Sequence, residues 1–141
     1  MWKRANNSSS GGGQMVETLL WTNPDPTVPN TGFAAQTVTL LDDINNYDYI
    51  SVECCRSRTN TSALRKVYYT VEEYKTFALA AGSRLGTVSD RYNASTNESR
   101  SFHYIDDISL RFNQCIAYSG SGGTIVNTYL IPTNVYGCKI R

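Results

Sequence analysis

Charge is scarce in this chain, and what there is nearly cancels. Charged residues make up 18% of the 141, with 13 Lys plus Arg against 12 Asp plus Glu; soluble domains usually carry roughly 25%. A protein that holds nucleic acid by displacing counterions shows a basic stripe. The nearest approach here is Arg56, Arg58, Arg65 and Lys66, interrupted by Thr59-Asn60-Thr61-Ser62. That spacing reads as a solvated turn between two strands, so no nucleic-acid partner is expected. Long apolar runs are missing as well. Nothing approaches the about 18 continuous apolar residues that would span a bilayer, and no membrane insertion is expected. The opening Met1-Trp2-Lys3-Arg4 lacks the apolar stretch of a secretory signal.

Residues that carry chemistry are equally thin. Histidine occurs once, as His103 in Ser101-Phe102-His103-Tyr104. A catalytic triad needs that base beside a nucleophile and an orienting acid. Asp106 and Asp107 follow closely, but no nucleophile-elbow pattern accompanies them. The four cysteines, Cys54, Cys55, Cys115 and Cys138, form no Cys-x-x-Cys pair, which argues against zinc. Asp42, Asp43, Asn45 and Asp48 suggest calcium, yet the EF-hand glycine and closing glutamate are absent. A turn rich in Asn and Asp explains them better. The glycines at 82–86 and 120–123 lack the Lys-Ser/Thr of a P-loop. Carboxylates are available, but glycoside hydrolysis needs two of them about 5 to 10 Å apart in a cleft, and spacing alone does not supply that. No catalytic residue, metal or cofactor is expected.

What the chain does have is Tyr, ten of them, together with abundant Asn, Ser, Thr and Gly. Tyr and Thr suit a pleated, half-buried surface, and the others suit tight turns. Residues 1–15, rich in Asn, Ser and Gly, bury too little apolar surface to offset ordering and read as a flexible arm. Residues 16–141 read as a single β domain. Period-two apolar patterns predict strands at 16–22, 33–41, 47–56, 64–70, 86–92, 101–104, 108–118, 124–131 and 135–140. Within 108–118, Ile108, Leu110, Phe112, Ile116 and Tyr118 are expected on one face, with Gln114 the exception. Neighbouring Cys54 and Cys55 should point to opposite faces as reduced thiols, Cys54 continuing the inward series of Ile50 and Val52. The fold expected is mainly β, an antiparallel β-sandwich or jelly roll.

One segment dissents. Thr70-Val71-Glu72-Glu73 matches a capping box, Tyr74, Phe77, Ala78 and Ala81 follow at helical spacing, and Gly82 stands where a C-cap belongs. Local rules predict a short helix over 71–81, and a strand-turn is the alternative if tertiary context overrides them.

With no catalytic pattern, surface recognition is the remaining reading. Tyr offers rigid amphipathic contact area, and Asn and Ser offer adaptable hydrogen bonds. Tyr92 and Asn93, with the Ser/Thr/Asn stretch that follows, form a candidate recognition loop, and Arg56 and Arg58 are further candidate surface-recognition residues.

The two ends of the folded region then matter together. Leu19-Leu20-Trp21-Thr22-Asn23-Pro24-Asp25-Pro26-Thr27, Phe33-Ala34-Ala35-Gln36-Thr37-Val38-Thr39-Leu40 and Tyr47-Asp48-Tyr49-Ile50 resemble a C-terminal module of phage and prophage structural proteins of Gram-positive hosts. The close, Leu130-Ile131-Pro132-Thr133-Asn134-Val135-Tyr136-Gly137-Cys138-Lys139-Ile140, is similar to that module's Pro-x-x-Ile-Tyr-Gly-Ile-Lys ending. The resemblance runs from about Glu17 to the C-terminus and is loose between Arg56 and Ser119. It implies a virion surface domain of a tail fibre, head fibre or baseplate tip, assembled in the bacterial cytoplasm. It further implies a homotrimer that binds a host cell-surface polysaccharide and attaches to other virion proteins through the N-terminal arm. A structural or decorating module without receptor contact is the alternative, and a small glycan-degrading enzyme a third. No residue-level receptor site comes with the resemblance. Cys138 at a usually aliphatic position, the Cys54-Cys55 pair and the helix-like segment depart from the pattern.

Overall fold

A computed structural model describes residues 13–78, 84–120 and 122–141, the Tyr92 side chain excepted. Nine strands are seen among the described residues: β1 (Met15–Thr22), β2 (Gln36–Thr39), β3 (Tyr49–Ser57), β4 (Asn60–Thr70), β5 (Gly86–Asn93), β6 (Thr96–Asp106), β7 (Ser109–Ser119), β8 (Gly122–Ile125) and β9 (Tyr129–Ile140). They form two antiparallel sheets, one ordered β1-β9-β3-β4 and the other β2-β7-β6-β5, with β8 also paired to β7. The molecule is an antiparallel β-sandwich, as the alternating pattern predicts.

The core between the sheets is aromatic. Trp21, Phe33 and Phe112 pack edge-on or tilted, with ring centroids 5.6–6.1 Å apart. A second cluster joins Tyr69, Phe77, Phe102 and Tyr74. Such offset and edge-on pairs add to the free energy of burial. Cys54, Cys55 and Cys115 belong to the same core, and all four cysteines are free and buried. Burial pushes their thiols up, Cys115 to about 11 and Cys138 to about 12, which makes them inert packing groups at neutral pH.

The stretches that carry the sequence resemblance meet in space. β1 and β3 both flank β9. Asn23, just beyond β1, donates from its backbone to Thr133 O at 2.8 Å and from Nδ2 to Pro132 O at 3.0 Å. A Cβ on Gly137 would lie 2.5 Å from the Tyr47 ring, so glycine is needed for that ring to rest on the strand.

Several boundaries differ from expectation, each for a tertiary reason. The strands expected at 124–131 and 135–140 are replaced by β8, a turn at 126–128 and one continuous β9. Proline is tolerated within β9 because it sits at a bulge: Pro132 pairs with Cys54 and Asn134 with Glu53, which leaves Thr133 as the extra residue. Its hydroxyl turns back to Glu53 O and Oε1 at 3.1 and 2.7 Å. β2 is shorter than the expected 33–41, whereas β4 and β6 outgrow 64–70 and 101–104 because their hairpin partners extend the ladder. Gln14 exchanges backbone hydrogen bonds with Arg141, and Met15 pairs with Ile140, so the last residues of the stretch expected to be an arm belong to the sheet. Residues 1–12 of that arm lie outside the described residues.

The helix expected over 71–81 ends after one turn, as α1 (Val71–Tyr74). Its start is as predicted: Thr70 Oγ1 accepts from Glu73 N at 3.0 Å. Tyr74 and Phe77 are both fully buried, and the Phe77 carbonyl accepts from Tyr104 N at 2.7 Å, a bond that takes the chain out of helical pairing. The C-cap expected at Gly82 lies outside the described residues.

A bulge also overturns the single face expected for 108–118. Cys115 pairs with Arg100 and Phe112 with Phe102, so Asn113 and Gln114 together oppose Ser101. Alternation restarts after it: Leu110, Phe112 and Cys115 are buried, and Ile116 and Tyr118 turn outward.

Candidate recognition face

The cations proposed for recognition hold the molecule together. Arg56, at the end of β3, pairs with Asp90 of β5, and Arg65 Nε reaches the same carboxylate at 3.3 Å. This layer ties the sheets at one side. Glu98 lies beside it, 2% exposed, and one of its oxygens has no partner among the described residues. Burial raises its carboxyl above the usual range, with Asp90 adding to the shift and Arg56 opposing it. Arg58, in the β3–β4 turn, donates through Nε and Nη2 to Thr27 O at 3.2 and 3.1 Å and through Nη2 to Asn30 Oδ1 at 2.7 Å. It anchors the 23–33 loop. Asn93 accepts from Ser95 N and Oγ at 2.9 and 3.1 Å, closing the β5–β6 hairpin. Tyr92 lies in β5, one residue before Asn93.

His103 is buried in β6, with Nδ1 3.4 Å from Asn113 Nδ2 and Nε2 unpartnered among the described residues. The neighbour of Nδ1 is an amide, so the acid that would orient a triad base is not at that nitrogen. Burial, and then the Arg111 charge, hold its pKa below the usual 6.5. Stability linked to His103 is therefore complete above the unfolded value near 6.5 and falls as pH drops from there toward the lowered folded value. Urea midpoints of the wild-type chain are expected to fall between about pH 7 and pH 5.5, and those of His103→Gln to fall less. Equal losses in both proteins would show that His103 does not carry the effect. Among the described residues, no three His, Cys, Asp or Glu side chains come together in a group fit for a metal ion.

A different surface has the character that recognition requires. The outer face of β5-β6-β7 holds a depression of about 410 Å³. Its floor is hydroxylic: Thr87 pairs with Ser101 across β5–β6, and Ser99 stands opposite Ile116 across β6–β7. Leu85 and Ile116 give apolar walls. Gln114, the polar exception in the sequence pattern, lies here, and its Oε1 accepts from Asn127 Nδ2. The amide is thereby oriented, with Nε2 as its donor end. Tyr118, 51% exposed, closes the depression. The ring is held low on the sheet: a Cβ on Gly123, its cross-strand partner, would meet Tyr118 Cε1 at 3.2 Å and Ile116 Cγ2 at 2.8 Å. Glycine at 123 lets an aromatic platform form.

Sequence reasoning missed this site because its residues alternate with core residues on three strands. The bulge at 113–114 brings Gln114, Ile116 and Tyr118 to it, and no local pattern announces that bulge. The only hint was a glutamine in an apolar series. Comparison of the chain with models of known protein families and with curated proteins finds no match.

Proposed function

We propose that this chain is a recognition domain that binds a host cell-envelope polysaccharide on the outer face of β5-β6-β7. In this reading it works at the virion surface, in a fibre, tail or head-fibre setting. The observation that carries the glycan part is the depression itself, where an aromatic ring, a tethered amide and three hydroxyls line one open groove. Sugars offer C–H faces that pack on rings and hydroxyls that pair with side-chain amides and hydroxyls. The virion setting rests on the resemblance of the two ends of the folded region. The opposite face of the sandwich supports the assembly part: Leu19, Leu64 and Tyr68 are exposed there. Lys66 bridges to Glu17 at 2.8 Å and lies 4.3 Å over the Tyr136 ring. Apolar residues around a fixed ion pair suit contact with further copies, and the reading is a homotrimer with other virion proteins held through the N-terminal arm.

The test combines size in solution with retention on polysaccharide purified from host envelopes. A trimer is expected, retained by the polysaccharide, with Tyr118→Ala weakening retention at least about tenfold, as loss of a central aromatic anchor does. A monomer that binds no envelope fraction would overturn both parts. Co-assembly with a virion protein in the absence of envelope binding would favour a decorating module. Release of reducing sugar during binding would favour an enzyme.

A further inference from the structure

Resting on the glycan reading above, we infer that the β5-β6-β7 groove selects uncharged sugars bearing N-acetyl groups and rejects phosphate-bearing or uronic-acid polymers. Among the described residues the groove has no charged lining residue: it is built from Thr87, Ser99, Ser101, Gln114, Leu85, Ile116 and Tyr118. Phosphate and carboxylate ligands are recognised by Arg or Lys, often bidentately, or by ordered backbone N–H groups. The cations on the neighbouring core side of the sandwich are committed elsewhere. Arg56 and Arg65 pair with Asp90, and Arg100 serves backbone carbonyls. An anionic polymer would lose water at this groove without gaining a counter-charge.

An acetamido group, by contrast, finds partners for both of its ends. Its carbonyl can accept from the Gln114 amide nitrogen, whose orientation is set by the Asn127 bond to Gln114 Oε1. Its methyl can pack between Leu85 and Ile116, the apolar members of an otherwise hydroxylic lining. The sugar ring then lies on Tyr118, held against Gly123, while Ser99 and Ser101 pair with ring hydroxyls. A purely hydroxylic sugar would leave the apolar wall facing polar groups.

The experiment uses the full chain and calorimetric titration with three probes: tetra-N-acetylglucosamine, a glucose tetramer and poly(glycerol phosphate). The acetylated tetramer is expected to bind about tenfold or more tighter than the glucose tetramer, the scale of one well-placed methyl and amide. Its affinity should change less than about twofold between low and high salt, since no ion pair is formed. Gln114→Glu keeps an acceptor for Asn127 and removes the donor, so it should weaken the acetylated probe about tenfold. Equal binding of the two tetramers, an unaffected Gln114→Glu variant, or tightest binding of the phosphate polymer with steep salt dependence would each overturn the inference while leaving glycan recognition standing. Binding of none of the three probes, with native-polysaccharide retention intact, would overturn the selectivity alone. Loss of that retention as well would overturn the glycan reading.

Discussion

Replacing Arg100 by methionine is expected to cost about 4 kcal/mol or more, by taking a donor from two buried and three half-buried carbonyls at roughly 1–3 kcal/mol for each one left unpaired. Arg100 is 0% exposed in the middle of β6. Its Nε donates to Leu130 O at 2.8 Å, Nη1 to Phe33 O and Asn113 O at 2.8 and 2.9 Å, and Nη2 to Asn127 O and Tyr129 O at 3.3 and 3.1 Å. One guanidinium thus fastens the end of the 23–33 loop, the β7 bulge and the entry to β9. The guanidinium carbon also lies 5.5 Å from the Phe33 ring centroid. No carboxylate is among these partners. Oriented backbone dipoles stabilise the charge, while burial itself lowers the pKa from its ordinary value. Lysine cannot substitute, because a single ammonium lacks the planar fork that reaches five acceptors. Thermal unfolding is the measurement. A drop of roughly 15 °C is expected for Arg100→Met, at about 4 °C per kcal/mol in a domain of this size, and a comparable drop for Arg100→Lys. If neither variant accumulates in soluble form, that also meets the expectation, provided the exposed-site control Lys139→Arg does accumulate. A fully stable Arg100→Met protein would refute it.

Gly32→Ala is expected to be nearly as damaging, about 3–5 kcal/mol, from backbone strain plus overlap in a packed site. Gly32 has φ of +90°, in the region that disfavours side chains. A Cβ there would lie 2.0 Å from Asn127 O and 2.6 Å from Thr128 N. Both are backbone atoms, and Asn127 O is already occupied by Phe33 N at 2.9 Å and by Arg100. The clash therefore enters the same knot that Arg100 ties. Gly120→Ala is the control, since none of the described residues lies within 4 Å of its added carbon; it should change stability by no more than about 0.5 kcal/mol. Chemical denaturation of the two variants side by side decides it, and equal midpoints would be the contrary result.

These two residues show how structural importance was hidden in the sequence. Arg100 falls in an inward series with Glu98 and Phe102, where a charged residue looks like an interruption of a strand. Only long-range contacts, up to 67 residues apart, give it a role. Arg56 and Arg58 illustrate the converse. Two positions apart in a basic, turn-like stretch, they suggest a binding surface, yet the fold draws one to Asp90 and the other to the 23–33 loop. A sequence displays charge but not the buried acceptors that will claim it.

The sequence by itself determined the class of fold, the inward run Ile50-Val52-Cys54, the turn-forming prolines and the capped start at Thr70. These follow from period-two burial and from side-chain bonds to nearby backbone, which are local properties of the chain. Tertiary structure alone decided where helix α1 stops, how β9 passes through Pro132, and which residues face outward after the bulge at Asn113–Gln114. It thereby created the groove of Gln114, Ile116 and Tyr118. The physical reason is that register in a sheet is fixed by partners distant in sequence, and an inserted residue reverses every side chain beyond it.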